Sequence, residues 1–154
     1  MPSSILDIGC GRGAFLWPCL DAFPDTPLTA IDFDEHHAKL YVIVRLGGIE
    51  RLCGVRCDIQ NVGSMFRDKE FDAVTALEVL EHLKNPAAAL ENIVRISRRH
   101  VVISVPSKPD DNPDHIHLFS EQLFTDMFQR IDRIKRFRFD YVINHLFAFL
   151  TLES

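Results

Sequence analysis

The sequence predicts an α/β fold in which helices cover both faces of a mostly parallel sheet. Apolar runs of strand length recur at residues 5–8, 28–31, 55–57, 73–77 and 101–105, and helix-length segments separate most of them. A chain of 154 residues suits one domain with a real core and leaves no room for a separate substrate domain. Hydrophobic residues make up 47% and charged residues 25%, the usage of a globular chain with no low-complexity segment.

Residues 12–22 read as the first helix, with Pro18 expected to kink or shorten it. Residues 35–46 read as the second, stopped by Gly47-Gly48. The third crossover, 61–70, holds Gly63 and a small apolar cluster at Met65 and Phe66, so a loop with one helical turn is expected. Asn85-Pro86 is an N-cap and first-turn pair for a helix over 87–97, and Ser120 caps a helix over 121–128. Residues 136–142 then alternate charged and apolar side chains, Asn144 sits at a turn, and 145–152 is mostly apolar. This is the pattern of a terminal antiparallel hairpin.

A formal net charge of −5 argues against a protein that coats phosphate backbones. Four cysteines at 10, 19, 53 and 57, with no leader-like opening, fit a reducing cytoplasm. Cys53 and Cys57 have three residues between them and no second pair, and Cys57 is expected inside a strand, so both read as structural thiols rather than metal ligands. The longest apolar stretches, 41–44 and 146–150, are too short to span a bilayer.

The segment Ile5-Leu6-Asp7-Ile8-Gly9-Cys10-Gly11-Arg12-Gly13 runs from strand to helix through three alternating glycines. Such a turn lets the backbone bend tightly and approach a ligand without Cβ interference. Gly9, Gly11 and Ala14 also satisfy a dinucleotide fingerprint, and Asp7 decides between the two. A dinucleotide brings an anionic pyrophosphate to this turn, which a carboxylate two residues earlier would repel. S-adenosylmethionine brings an ammonium and a sulfonium, which suit Asp7. Asp32 ends the second strand, where it can accept hydrogen bonds from both ribose hydroxyls, and Phe33 beside it can pack on adenine. Asp58 ends the third strand, placed for the adenine amino group with Ile59 as apolar support.

Together, ILDIGCGRG at 5–13, AIDFDE at 30–35, FDAVTALEVLEHLKNP at 71–86 and VVISVP at 101–106 make the chain resemble the class I S-adenosylmethionine-dependent methyltransferases, in particular the broad group that includes ubiquinone and menaquinone biosynthesis enzymes. The resemblance implies a Rossmann-like seven-stranded sheet of order 3-2-1-4-5-7-6 with an antiparallel seventh strand. It implies that Asp7, Gly9 and Gly11 hold the methionine part, Asp32 the ribose, and Asp58 with Ile59 the adenine. Cys10, Gly13, Phe33 and Leu77 complete the expected cofactor-binding set. The resembling family generally carries helices before its first strand, whereas here strand one begins almost at Met1. The expectation is therefore a single domain over 1–154 without those cap helices, with its acceptor site open, or with the chain a fragment, or with the site completed by a partner subunit or a second copy.

Glu78-Val79-Leu80-Glu81-His82 follows the fourth strand and should border the reaction site. Asp114-His115-Ile116-His117 follows the fifth strand after a polar loop at 107–113, a flap in position. Methyl transfer from a sulfonium needs mainly alignment and desolvation, and a base only when a hydroxyl or phenol must lose its proton. His117 is the expected base and Glu78 an orienting residue. No metal is expected in this reading. The alternative is a metal-assisted reaction, because Glu78, Glu81, His82 and His115 resemble the metal site of the small-RNA 3′-end 2′-O-methyltransferases. The basic run Arg130, Arg133, Lys135, Arg136 and Arg138, with Phe137 and Phe139 interleaved, reads as a solvated edge strand, with an RNA-facing edge as the alternative.

Three functions follow from these residues: a methyltransferase for a small or carrier-bound acceptor, the metal-assisted RNA-end enzyme, and a non-catalytic cofactor-binding subunit. A nicotinamide oxidoreductase is disfavoured by Asp7.

Overall fold

In a computed structural model, which describes residues 1–153, seven strands form one sheet. They are β1 (Ile5–Ile8), β2 (Leu28–Asp32), β3 (Leu52–Arg56), β4 (Phe71–Leu77), β5 (Ser97–Pro106), β6 (Ile134–Val142) and β7 (His145–Leu152). Their order is β3-β2-β1-β4-β5-β7-β6, with β1 to β5 parallel and β7 antiparallel to both neighbours. This is the expected sheet, and the terminal hairpin supplies its last two strands.

Five helices connect the strands: α1 (Leu16–Ala22), α2 (Glu35–Leu46), α3 (Val62–Met65), α4 (Pro86–Ile96) and α5 (Glu121–Phe128). Alternation along β1 sends Ile5 into one core, with Leu16 and Leu20 of α1 and Tyr41 of α2. Leu6 and Ile8 enter the other, with Leu90 and Ile93 of α4 and Phe124 and Phe128 of α5. The sheet is thus covered on both faces.

Local chemistry sets the boundaries. Asp34 caps α2, accepting from the His36 N–H at 2.7 Å; Asn85 caps α4 through the Ala88 N–H at 3.1 Å; Ser120 caps α5 through the Leu123 N–H at 3.2 Å. The first helix is shorter than the sequence suggested. It begins at Leu16 because the chain is still turning at Gly13, φ +85°, and Pro18 then falls in its first turn, where a missing N–H costs nothing. The third strand begins earlier than expected, at Leu52, and ends at Arg56, so Cys57 lies just beyond it, buried.

The basic run is largely a solvated edge. Arg136 and Arg138 are exposed on β6, while Phe137 and Phe139 pack against the core. Arg138 stacks its guanidinium 3.9 Å above the Phe149 ring. Arg133 is used internally, donating to the carbonyls of Val94, Ser97 and Glu153 at 2.6, 3.0 and 3.1 Å. No helix among the described residues is long and apolar enough to cross a membrane.

Candidate functional site

Above the C-terminal ends of the parallel strands lies a cleft of about 740 Å³. Its position follows from the strand order: β1 connects outward to β2 and β3, and the chain then returns to β4 on the other side, leaving a crevice where the direction reverses.

The glycine turn forms one wall. Gly9, Gly11 and Gly13 all have positive φ, at +69°, +49° and +85°. A Cβ on Gly9 would stand 2.6 Å from Val79 Cγ2, and one on Gly13 2.6 Å from the Trp17 indole, so these two permit close packing of the turn itself. Gly11 differs, since a Cβ there would meet nothing nearer than 3.9 Å and its backbone borders the cleft. Side chains hold this turn at Gly11. The Gly11 N–H donates to Asp32 Oδ2 at 2.8 Å, and the Tyr41 hydroxyl donates to the Gly11 carbonyl at 2.6 Å. Tyr41, fully buried on α2, was indistinguishable in the sequence from an ordinary apolar core residue.

Asp32 is buried, and its Oδ1 accepts from the Asp34 N–H at 2.9 Å. His37, which the sequence did not single out, brings Nδ1 to 3.3 Å from Asp32 Oδ2. Phe33 lies exposed on the cleft wall, Asp58 accepts from the Gln60 N–H at 2.9 Å as the cap of a 3-10 turn over Ile59–Asn61, and Ile59 is buried beside it. Thus Gly9, Gly11, Asp32, Phe33, Asp58 and Ile59 all line one half of the cleft.

Asp7, Cys10, Gly13 and Leu77 stand behind that wall rather than on it. Asp7 is buried on β1 and accepts from Thr75 Oγ1 at 2.6 Å. Burial pushes its carboxyl up to about 6, opposed by the Thr75 hydrogen bond and reinforced by Asp32. Burial, with Asp7 nearby, pushes the Cys10 thiol up to about 12, so it is an inert thiol.

The other half of the cleft comes from the segment after β4 and the loop after β5. Glu78, Val79, His82, Pro113, Asp114 and Ile116 line it. The loop is tied down at two points: the Ile116 N–H donates to the Glu81 carbonyl at 3.0 Å, and His82 Nδ1 lies 3.0 Å from the Asp114 carbonyl. His117 points elsewhere, with Nε2 2.8 Å from the Leu83 carbonyl, and it lines a separate small cavity beneath the loop.

The expected four-residue metal cluster divides into two. Glu81, His82 and His115 bring ligand atoms within 4.8 Å of one another, with the rings of the two histidines 4.7 Å apart. Glu78 leaves this set, because its carboxylate turns toward Ser104 and His145. Glu81 is fully buried, neither carboxylate oxygen has a hydrogen-bond partner, and burial pushes it up to about 8. Ser104 and His145 were missed in the sequence, where nothing marks that a strand serine and a hairpin histidine will meet the residue after β4.

Fold and cleft together define a doubly wound domain built to hold a nucleoside-type ligand at its switch point. The pattern of a family described as "Methyltransferase domain" matches residues 1–140, and the chain belongs to that family, within the class I S-adenosylmethionine-dependent methyltransferases. A ubiquinone biosynthesis O-methyltransferase of Xanthomonas oryzae pv. oryzae is 34% identical over 94 residues, which are 60% of this chain and 37% of that protein. The match thus spans little more than a third of that relative's length. Among solved structures, a SAM-dependent methyltransferase from Archaeoglobus fulgidus shares the fold at TM-score 0.79 and 15% identity, over 96% of this chain and 85% of that one. A putative methyltransferase of Haloferax volcanii, solved in complex with the Trm112 methyltransferase activator, superposes at TM-score 0.81 and 13% identity, over 99% of this chain and 83% of that one.

Proposed function

We propose that this chain binds S-adenosylmethionine in the half of the cleft bounded by the glycine turn, Asp32 and Asp58, and transfers its methyl group to a small or carrier-bound acceptor entering the other half. The observation that carries this reading is the joining of Gly11 to Asp32 on the cleft wall. Asp32 accepts one backbone N–H on each oxygen, which leaves about two of its roughly four lone-pair sites for ribose hydroxyls. Gly11 leaves open space where a side chain would intrude. When bound, the cofactor supplies an electrophilic methyl group on a sulfonium. The chain's own part is to orient donor and acceptor in line and exclude water, with Phe33 and Ile59 as the apolar supports for the adenine and Asp7 as the buried negative charge behind the methionine end.

Calorimetry with adenosylhomocysteine tests this directly: it should bind with one-to-one stoichiometry and NADH should not. A screen with labelled methyl donor then separates an enzyme from a non-catalytic cofactor-binding subunit. Because the Haloferax volcanii neighbour is found with an activator protein, completion of the acceptor side by a partner subunit or a second copy belongs to the proposal. Acceptor turnover that requires no added protein and is carried by a monomer in light scattering would remove that part.

A second reading is favoured by Glu81, whose fully buried carboxylate faces His82 and His115 without a hydrogen-bond partner. These three would hold a divalent ion, which would act as a Lewis acid on a ribose hydroxyl at an RNA 3′ end.

A further inference from the structure

Gly11 both borders the cleft and has open space where a side chain would stand. Its φ of +49° lies in a region that glycine enters and leaves at little cost, so nothing within the residue fixes its peptide groups. They are fixed from outside. Asp32 Oδ2, at the end of β2, accepts the N–H at 2.8 Å, and the Tyr41 hydroxyl, on α2, donates to the carbonyl at 2.6 Å. The same hydroxyl lies 3.4 Å from the Cys10 carbonyl.

Tyr41 is fully buried and does not line the cleft. Burial pushes its phenol above the ordinary value, so the hydroxyl keeps its proton and stays a donor at neutral pH. Two further contacts hold the side chain. Its ring lies tilted against Trp17 with centroids 5.6 Å apart, and Trp17 Nε1 in turn donates to the Arg12 carbonyl at 3.1 Å. Its Cβ faces Gly54 of β3, where an added Cβ would lie 2.6 Å from Tyr41 Cβ and 2.7 Å from the Ala38 carbonyl oxygen. Gly54 therefore sets how closely α2 approaches the sheet, and with it how far the Tyr41 hydroxyl reaches. It sits on an edge strand and does not line the cleft.

We propose that Tyr41 is a positioning residue for the cofactor, acting through the Gly11 carbonyl, and that Gly54 sets its reach, so that a residue outside the cleft governs affinity for the ligand's methionine part. The inference rests on the methyl-transfer reading above. A turn held at both polar groups before the ligand arrives does not have to be ordered on binding, and that cost is spared. Without the hydroxyl, Gly11 keeps only its bond to Asp32, and its carbonyl is free to swing. Asp32 still stands in place for the ribose, so adenosine depends on Tyr41 less than adenosylhomocysteine does.

The test is calorimetry with adenosylhomocysteine and with adenosine on wild type, Tyr41→Phe, Gly54→Ala and the double variant, together with amide hydrogen exchange at Gly11. Tyr41→Phe keeps the ring and removes the hydroxyl. Affinity for adenosylhomocysteine should fall by about threefold to tenfold, and affinity for adenosine by less. In the same variant the Gly11 N–H should exchange faster in the ligand-free protein and regain its protection once adenosylhomocysteine is bound. Gly54→Ala should also lower affinity for adenosylhomocysteine, by lifting α2, but added to Tyr41→Phe it should cost less than about twofold more, because the contact through which it acts is gone. Unchanged affinity in Tyr41→Phe, equal losses for the two ligands, or losses that multiply in the double variant overturn the proposal. If Gly54→Ala does not fold, Tyr41→Phe decides alone. If Tyr41→Phe does not fold either, the wild type decides: protection of the Gly11 amide before any ligand is added supports the proposal, and free exchange there overturns it. Wild-type protein that binds no adenosylhomocysteine removes the methyl-transfer reading itself, while exchange at Gly11 still reports whether Tyr41 holds the turn.

Discussion

Gly11 donates its backbone N–H to Oδ2 of Asp32 at 2.8 Å, so the turn after β1 and the acid ending β2 are one mechanical unit. Removing the carboxylate therefore has two effects. Asp32→Ala takes away the proposed ribose acceptor and strands the N–H groups of Gly11 and Asp34, which it now receives. The expected loss is about 1–3 kcal/mol in adenosylhomocysteine affinity, with a lowered melting temperature of the ligand-free protein. Calorimetry showing wild-type affinity in a folded Asp32→Ala protein would take Asp32 out of the site.

Gly9 is held by a different constraint. Alanine there would carry its Cβ to 2.6 Å from Val79 Cγ2 at a backbone φ of +69°. Gly9→Ala should destabilise the fold by about 1–3 kcal/mol in denaturant unfolding, part from the clash and part from the backbone. Adding Val79→Ala should relieve the clash alone, so the double variant should recover part of the loss. Recovery to full wild-type stability would mean that the left-handed conformation costs nothing.

Asp7 gives a pH dependence with a definite sign. Its folded-state carboxyl lies near 6, above the ordinary value of 3.8, chiefly because it is buried. The folded state therefore prefers the protonated form. This contribution to stability is fully present below pH 4 and is lost as pH rises through 6. Asp7→Asn keeps an acceptor for Thr75 and removes the charge, so the ligand-free variant should be more stable than wild type at neutral pH, by up to roughly 3 kcal/mol. In the same variant, adenosylmethionine should lose more affinity than adenosine, since only the former carries a cationic end. Equal losses for the two ligands would make Asp7 purely structural.

These residues also show what the sequence could disclose. Helix α2 was legible to the residue, because a capping acid, an apolar repeat and Gly47-Gly48 all mark the same ends. The third strand was expected over 55–57, which missed its opening residues Leu52, Cys53 and Gly54. In the fold, a Cβ at Gly54 would lie 2.6 Å from Tyr41 Cβ, so the glycine lets α2 press on β3 within the strand. The proposed cofactor half of the cleft was legible because its acids lie at or just past strand ends, Asp32 closing β2 and Asp58 two residues beyond β3 rather than at its end, and strand ends are visible in hydropathy. The acceptor half was not. Glu78 meets His145 only through the register of β5 against β7, and His117 is diverted by the Leu83 carbonyl, neither of which leaves a local mark in the sequence.

The two functional readings divide on Glu81. In the metal-free reading, Glu81 is a buried acid near pH 8 and hence mostly protonated at neutral pH. Glu81→Gln then replaces one neutral group by another of the same shape, and fold, adenosylhomocysteine affinity and turnover should stay close to wild type. Chelation should also leave turnover unchanged. In the metal-assisted reading, an ion would require the charged carboxylate, so manganese should bind more tightly as pH rises toward 8 and release a proton as it binds. Glu81→Gln and His115→Ala would each abolish that binding while sparing adenosylhomocysteine affinity, because neither side chain lines the glycine-turn half of the cleft. Glu78→Gln should leave manganese binding nearly intact, since its carboxylate is turned away to Ser104 and His145. Calorimetry with manganese alone, on wild type and these variants, decides the matter. Wild-type protein that takes up no manganese at millimolar concentration retires the metal, and manganese binding lost in Glu81→Gln together with turnover abolished by chelation retires the metal-free enzyme.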